Sequence, residues 1–374
     1  MSNKPLTLND YCEFIVDCLH KTAPIEETET GFYSIRTPDI GRGRLIIENA
    51  NRVSKETYEK WTIRAVPQAG DLILAREAPV GNIGIVPENV KVCCGQRTVH
   101  LRPDKSQIDP EYLVYLMNGD EIQGKIKGYS QGVTVAHLNM EDIRALVLPE
   151  LPPRPIQRKI ANIISTYDNL IENNMRRIRI LEQMAQAIYQ EWFGNVDKEY
   201  LPEGWKLKSL GEIIDFKNGK AINAEVEGDF PIYGSNGIIG RTNEARYKNA
   251  IIIGRVGAYC GSINYCSTQF SASDNTIIAS PSPNSGFAEN FAYRLLMNMN
   301  LRRFAGGAAQ PLMTQSVLNK LETLVPPSSL CLEYEKIAGN LFSLQTILEK
   351  ENANLRQTRD LLLPRLVSGE IELQ

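Results

Sequence analysis

Residues 151–193 read LPPRPIQRKIANIISTYDNLIENNMRRIRILEQMAQAIYQEWF. The apolar positions advance by alternating steps of four and three, through Ile160, Ile164, Tyr167, Ile171, Asn174, Ile178, Leu181, Ala185, Ile188 and Trp192, which is a heptad seam on a long helix. Pro152 and Pro153 end whatever strand precedes them and allow a helix to begin. At about 1.5 Å per residue, roughly 38 residues would span about 57 Å. A stripe that long needs a partner.

The partner is in the same chain. Residues 326–370 open on a second double proline, Pro326-Pro327, and repeat the pattern without a gap from Lys336, the counterpart of Lys159. Their expected seam is Ile337, Leu341, Leu344, Leu348, Glu351, Leu355, Thr358 and Leu362. Two helices at matching places in two halves predict mutual antiparallel packing. Each has one polar seam residue near its middle, Asn174 and Glu351, and these are expected to meet, because a polar seam group costs least opposite another.

The rest of the chain repeats as well. Strands are expected at 45–47, 71–75, 83–86 and 97–101, a helix at 110–118 behind an Asp109 cap, a short helix at 140–143, and the strand ALVLP before the first double proline. In the second half AIIIGRVGAYCGSINY parallels DLILAREAPVGNIGIV, with Arg255 over Arg76 and Gly261 over Gly81, and NTIIASP parallels RTVHLRP. The expected fold is therefore α+β. Homologous mixed α/β domains at 1–150 and 196–327 would be separated by long helices at 151–195 and 328–374, packed as an antiparallel coiled coil with pseudo-twofold symmetry. Such a rod would set the distance between the two domains.

Composition bounds the class. Hydrophobic content of 43% and charged content of 23% describe a soluble globular chain, and no apolar run approaches a membrane span. Seven cysteines without CxxC spacing suit a reduced cytoplasmic setting without structural zinc. A net charge of -3 argues against indiscriminate coating of nucleic acid, so DNA binding would need local clusters.

No GxxxxGK[ST], HExxH, NPP[YF] or DPPY motif is present. No catalytic residue, metal ligand or cofactor of this chain is expected. What remains are polar loops suited to base edges and phosphates. YGSNGIIGRTNEARYKN combines Ser235, Asn236, Arg241, Asn243, Arg246 and Lys248, and Arg and Asn can pair bidentately with guanine and adenine. The first half offers Arg36, Arg42 and Arg44 in SIRTPDIGRGR, and Lys125, Lys127, Tyr129 and Gln131 in GKIKGYSQG.

The proline-led helix start, LPEGWKLKSLGEIIDFKNG and YGSNGIIG together resemble the specificity subunits of type I restriction-modification enzymes, over essentially the whole chain. The family pattern has an acidic residue before Gln157, where Ile156 stands here, and the second copy, PPSSLCLEYEKIA, lacks the glutamine. The resemblance implies a non-catalytic subunit in which each recognition domain reads half of a bipartite double-stranded DNA target. It also implies two methyltransferase subunits acting on adenine N6, and motor-nuclease subunits in the full complex. A methyltransferase-only system, a coiled-coil adapter whose paired domains bind something other than DNA, and an enzyme with an unfamiliar site are the alternatives.

Overall fold

The computed structural model describes residues 5–129, 137–197, 200–225, 228–283, 285–307, 311–371 and 373. Two compact units divide it, Met1–Asn173 with Asn352–Gln374, and Asn174–Glu351. Both boundaries fall inside a long helix. Each half-helix is therefore part of a domain's packing and not a separate stem.

In the first unit the strands are β1 (Cys12–Asp17), β2 (Phe32–Ile35), β3 (Gly43–Arg44), β4 (Asn51–Arg52), β5 (Leu72–Ala75), β6 (Ile83–Ile85), β7 (Lys91–Cys94) and β8 (Thr98–Pro103). They form a five-stranded sheet, β1-β8-β5-β6-β3, and a three-stranded sheet, β4-β2-β7. The central strand β5 is LILA, buried throughout, and its side chains alternate between two cores. Leu72 and Leu74 pack with the helices, whereas Ile73 and Ala75 pack with Ile35, Val92 and Cys94.

Four short helices accompany these strands: α1 (Lys55–Trp61), α2 (Pro110–Asn118), α3 (Asp120–Tyr129) and α4 (Met140–Arg144). Asp109 caps α2 by accepting from the Glu111 and Tyr112 amides at 3.0 and 3.1 Å, and Pro110 supplies the first-turn residue that lacks a donor. From Tyr112 to Asn118, α2 is entirely buried. The expected strand ALVLP is reduced to one bridge, Thr7 with Val147.

The first long helix, α5, runs from Arg154 to Tyr189. In the first unit its Ile160, Ala161 and Ile164 join the core beneath α2. Full burial of each of the two isoleucines contributes about 1.5 to 3 kcal/mol. Buried Gln157 ties the start of α5 to α2: its Oε1 accepts from the Asp109 amide and its Nε2 donates to the Pro152 carbonyl, both at 2.9 Å.

The second unit contains β9 (Lys206–Ser209), β10 (Ile214–Asn218), β11 (Phe230–Gly234), β12 (Gly237–Thr242), β13 (Tyr247–Gly254), β14 (Ile263–Ala272) and β15 (Thr276–Pro281). These are followed by α6 (Glu289–Asn298), α7 (Gln315–Lys320), β16 (Glu322–Val325) and the second long helix, α8 (Ser328–Val367). The main sheet is β10-β15-β13-β14-β11-β12, and β16 pairs with β9. Strand β13 alternates as β5 does, with Ile251 and Ile253 towards the helices and Ala250 and Ile252 towards Phe270.

Within each unit the two long helices run antiparallel. In the first, Asp168 of α5 accepts a bond from Arg359 of α8, while Ile160 and Ile164, earlier in α5, share a core with Leu366, later in α8. In the second, Tyr334 lies against Ala185 and Tyr189. There Glu349 sits near Glu182; burial, and then that neighbour, push its carboxyl above the usual range. Tyr334 occupies the place of Gln157 in the repeat, and it joins Tyr189, Trp192, Phe193 and Phe291 in an aromatic cluster. The glutamine missing from the second copy is replaced by packing.

The seam of α5 buries Ile160, Ile164, Ile171, Asn174 and Leu181 and half-buries Ile178. The seam of α8 departs from expectation at alternate positions. Leu348 is buried and Leu341, Leu355 and Leu362 are half-buried, but Ile337 is 41% exposed and Glu351 is exposed. Their neighbours Ala338 and Asn352 are buried instead. Packing sets this rotation: small Ala338 fits the core that holds Tyr189, Phe291 and Tyr334, and Asp168 draws Arg359 inward where Thr358 was expected. Ile337 and Leu344 are apolar yet exposed, so apolar spacing alone does not mark the buried side of this helix.

Candidate nucleic-acid interface

In the second unit Ser235 and Asn236 are the two turn residues of the β11–β12 hairpin, since Gly234 pairs with Gly237, whose φ of 87° suits glycine. Ser235 points inward, with Oγ donating to the Asn275 carbonyl at 2.7 Å. Asn236 projects outward with Ile238 and Ile239, which are 61% and 57% exposed.

Other expected contacts hold the loops together. The Arg241 guanidinium donates to the Gly228 and Asp229 carbonyls at 2.6 and 2.7 Å, and Asn243 Nδ2 donates to Glu225 at 2.6 Å. Arg246 forks onto Glu244 at 2.8 and 2.9 Å and reaches the Ala221 carbonyl at 3.0 Å. Lys248 remains exposed. An open groove of about 950 Å³ passes these loops, lined by Lys217, Asn218, Lys220, Glu244, Arg246 and Tyr247 among others. Cations outnumber carboxylates there, as an anionic ligand requires.

The first unit shows the same split. Arg36 forks onto buried Asp39 with both bonds at 3.0 Å, Arg44 pairs with Glu172 at 3.3 Å, and Lys125 pairs with Glu121 at 2.8 Å. Arg42, Lys127 and Tyr129 are exposed. Gln131 lies outside the described residues.

The domains contact the long helices through polar fasteners. In the first unit the Tyr115 hydroxyl donates to Asp168 at 2.9 Å. Burial, reinforced by that carboxylate, pushes the Tyr115 phenol well above its ordinary range, so it stays protonated as donor. In the second unit the Arg294 guanidinium, almost fully buried, forks onto Glu182 at 2.6 and 2.8 Å.

A sequence profile of the type I restriction modification DNA specificity domain matches residues 3–183 and 202–357. The chain belongs to this family. The specificity subunit is similar to that of the type I restriction enzyme MjaIX from Methanocaldococcus jannaschii, at 23% identity over 88% of this chain and 84% of the relative. It also resembles the HindI specificity subunit of Haemophilus influenzae, at 23% identity over 72% and 79% of the respective chains. Its fold matches the crystal structure of a type I S subunit from M. genitalium with a TM-score of 0.63, at 20% identity and covering 98% of this chain and 97% of that one.

One residue of the specificity subunit escaped the sequence-based site assignment. Arg76 and Arg255 stand at matching places of the repeat, in strands whose local sequence marks neither as a contact. In the first domain Arg76 is buried and fully engaged: Nη1 bonds both Asp17 oxygens at 3.0 and 2.9 Å, Nε the Leu138 carbonyl at 2.8 Å, and Nη2 lies 2.9 Å from His137. Asp17, Cys18 and His20 bring ligand-type atoms within 4.8 Å of one another, but Arg76 and His20 already occupy the carboxylate. In the second domain Arg255 has none of these partners. Asn218 stands opposite Ile277 as Asp17 stands opposite Val99, so the lost carboxylate was the signal in the sequence.

Proposed function

We propose that this specificity subunit reads a bipartite duplex target, with residues 1–150 recognising one half and 196–327 the other, and does no chemistry itself. It would hold methyltransferase subunits, and motor-nuclease subunits where the system has them, through the surfaces of its long helices, 151–195 and 328–374. The carrying observation is that both domains repeat one strand framework while the side chains exposed on their loops differ. A common scaffold with different exposed groups suits readers of two different sequences. Asn236 and Lys248 in the second domain, and Arg42, Lys127 and Tyr129 in the first, are the groups available to bases and phosphates. No helix is long and apolar enough among the described residues to cross a membrane, which fits action on DNA in the cytoplasm.

The test is methylation-site sequencing of DNA exposed to this chain with its neighbouring methyltransferase. Exchanging residues 1–150 for those of a related subunit is expected to change one half-site and leave the other. A change in both together would overturn independent reading. Failure of the wild-type assembly to select any duplex would instead favour an adapter for another ligand.

A further inference from the structure

The backbone hydrogen bonds around Arg76 and Arg255 correspond. Arg76 N donates to the Arg97 carbonyl and Arg255 N to the Asn275 carbonyl, both at 2.9 Å. Leu138 N donates to the Arg76 carbonyl at 3.1 Å, and Met313 N to that of Arg255 at 2.8 Å. Gly81 and Gly261 close the following turn onto Ala75 and Gly254 at 2.9 and 2.8 Å. The two arginines therefore leave equivalent points of equivalent strands.

Their side-chain surroundings differ in charge. The first domain faces its arginine with Asp17 and follows it with Glu77, which pairs with Arg97 and His137. The second has Asn218 in place of Asp17 and Val256 after Arg255. The one hydrogen bond of the Arg255 side chain among the described residues runs from Nη1 to the Asp274 carbonyl at 3.4 Å. Its Nε is buried without a partner, and so is Ser273 Oγ, two residues before Asn275. A desolvated guanidinium donor without an acceptor is costly, and the cost is relieved when the side chain turns outward to a ligand that supplies one. The hairpin that carries Asn236 is bonded to the same strand junction, through Ser235 Oγ to the Asn275 carbonyl.

We propose that Arg255 is a DNA contact of the second domain, offering its guanidinium to paired acceptors on the duplex. This rests on the DNA reading above. Phosphodiester oxygens and the O6/N7 edge of guanine share that chemistry. The exchange of Asp17 for Asn218 is what frees the group, so the two domains use one scaffold position differently. In the first it holds the fold; in the second it faces the ligand.

The experiment uses the full chain assembled with its methyltransferase, duplexes varied one position at a time, and several salt concentrations. Selective binding by the wild-type assembly comes first; without it the DNA reading fails, whatever Arg255 does. Given that binding, Arg255→Ala is expected to weaken it by about 5- to 150-fold. For guanine, the loss falls at one position of one half-site and Arg255→Lys does not restore it, because lysine is a point charge and not a fork. For phosphate, the loss is equal at all sequences, the salt slope falls by about one unit, and lysine restores part of it. Unchanged affinity and selectivity in Arg255→Ala, and in polar but uncharged Arg255→Gln, would overturn the proposal.

Asn218→Asp supplies the carboxylate found in the first domain and is expected to weaken binding by capturing Arg255. In an Arg255→Ala background it should then add little. An equal loss in both backgrounds would overturn the argument that Asn218 leaves Arg255 available.

Discussion

At the strand position where the first domain buries Asp71, the second has Ala250, and in the neighbouring strands His100, opposite Ile73, and Ile278, opposite Ile252, stand at equivalent places. Asp71 accepts from His100 at 2.7 Å, from Arg102 at 3.0 and 2.7 Å, and from the Gln68 amide at 2.8 Å, almost wholly out of water. The second domain fills the same place with apolar contacts among Ala250, Ile252 and Ile278. Together with Arg76 and Arg255, this makes the first domain a sheet pinned by satisfied charge networks and the second a sheet pinned by packing. Breaking a satisfied buried charge network is expensive, whereas an apolar sheet leaves the charges around it available for a ligand.

The largest expected difference comes from removing the paired arginines. Arg76→Ala removes the arginine from both Asp17 oxygens, leaving that carboxylate to His20, and strands the Leu138 carbonyl, and should cost the first domain about 3 kcal/mol, the lower end for a broken buried pair. Arg255→Ala should change the second by about 0.5 kcal/mol or less, in the range of substitutions that break no network. Hydrogen exchange of the intact chain reads both domains at once. Equal loss of protection in β5 and β13 would erase the contrast.

A smaller difference should appear in acid. Burial alone would raise the Asp71 carboxyl, but bonds from His100, Arg102 and the Gln68 amide outweigh it and hold the group below its ordinary value. A carboxyl lowered on folding stabilises the fold above its unfolded value of about 3.9, and the contribution disappears as pH falls through the lower folded value. Protection of β5 should therefore fall as pH drops below about 4, and Asp71→Asn should flatten that dependence. Strand β13, with Ala250 at this place, should show no such component. If Asp71→Asn retained the full acid sensitivity of β5, the network would not be its source.

The smallest effect concerns the long helices. Glu351→Ala, at an exposed position, should change stability by less than about 0.5 kcal/mol. Asn352→Ala, at a buried one, should cost about 1 to 3 kcal/mol, because the groups it serves lose their partner. Thermal midpoints of the two variants decide between them. A larger loss for Glu351 would return the seam to the register expected from apolar spacing.

Much of the architecture was legible without coordinates. The double prolines, the gapless heptads and the matched order of strand and helix patterns defined two related α+β domains and two long helices, because periodicity and chain-breaking residues act locally. Asp109 as a cap and 110–118 as a helix followed from the same local rules. The side of α8 that faces inward did not. Steps of three and four around Leu341, Leu348 and Leu355 are equally compatible with a heptad, and the choice fell to Ala338 against the aromatic cluster and Arg359 against Asp168.

The binding loops divide in the same way. Residue type alone placed Arg36, Arg241 and Arg246 among the polar groups suited to DNA, and local sequence cannot show that Asp39, two backbone carbonyls and Glu244 already engage them. Nor does it distinguish Arg76 from Arg255, which follow near-identical strands. Their difference depends on a residue in another strand, Asp17 or Asn218, brought beside the arginine by sheet register. Composition and periodicity determined what this chain is built from. Which of its charges are spent on the fold, and which remain for a ligand, was decided by tertiary contacts, because the charge on an arginine becomes available or not according to the acceptor that folding brings within about 3 Å.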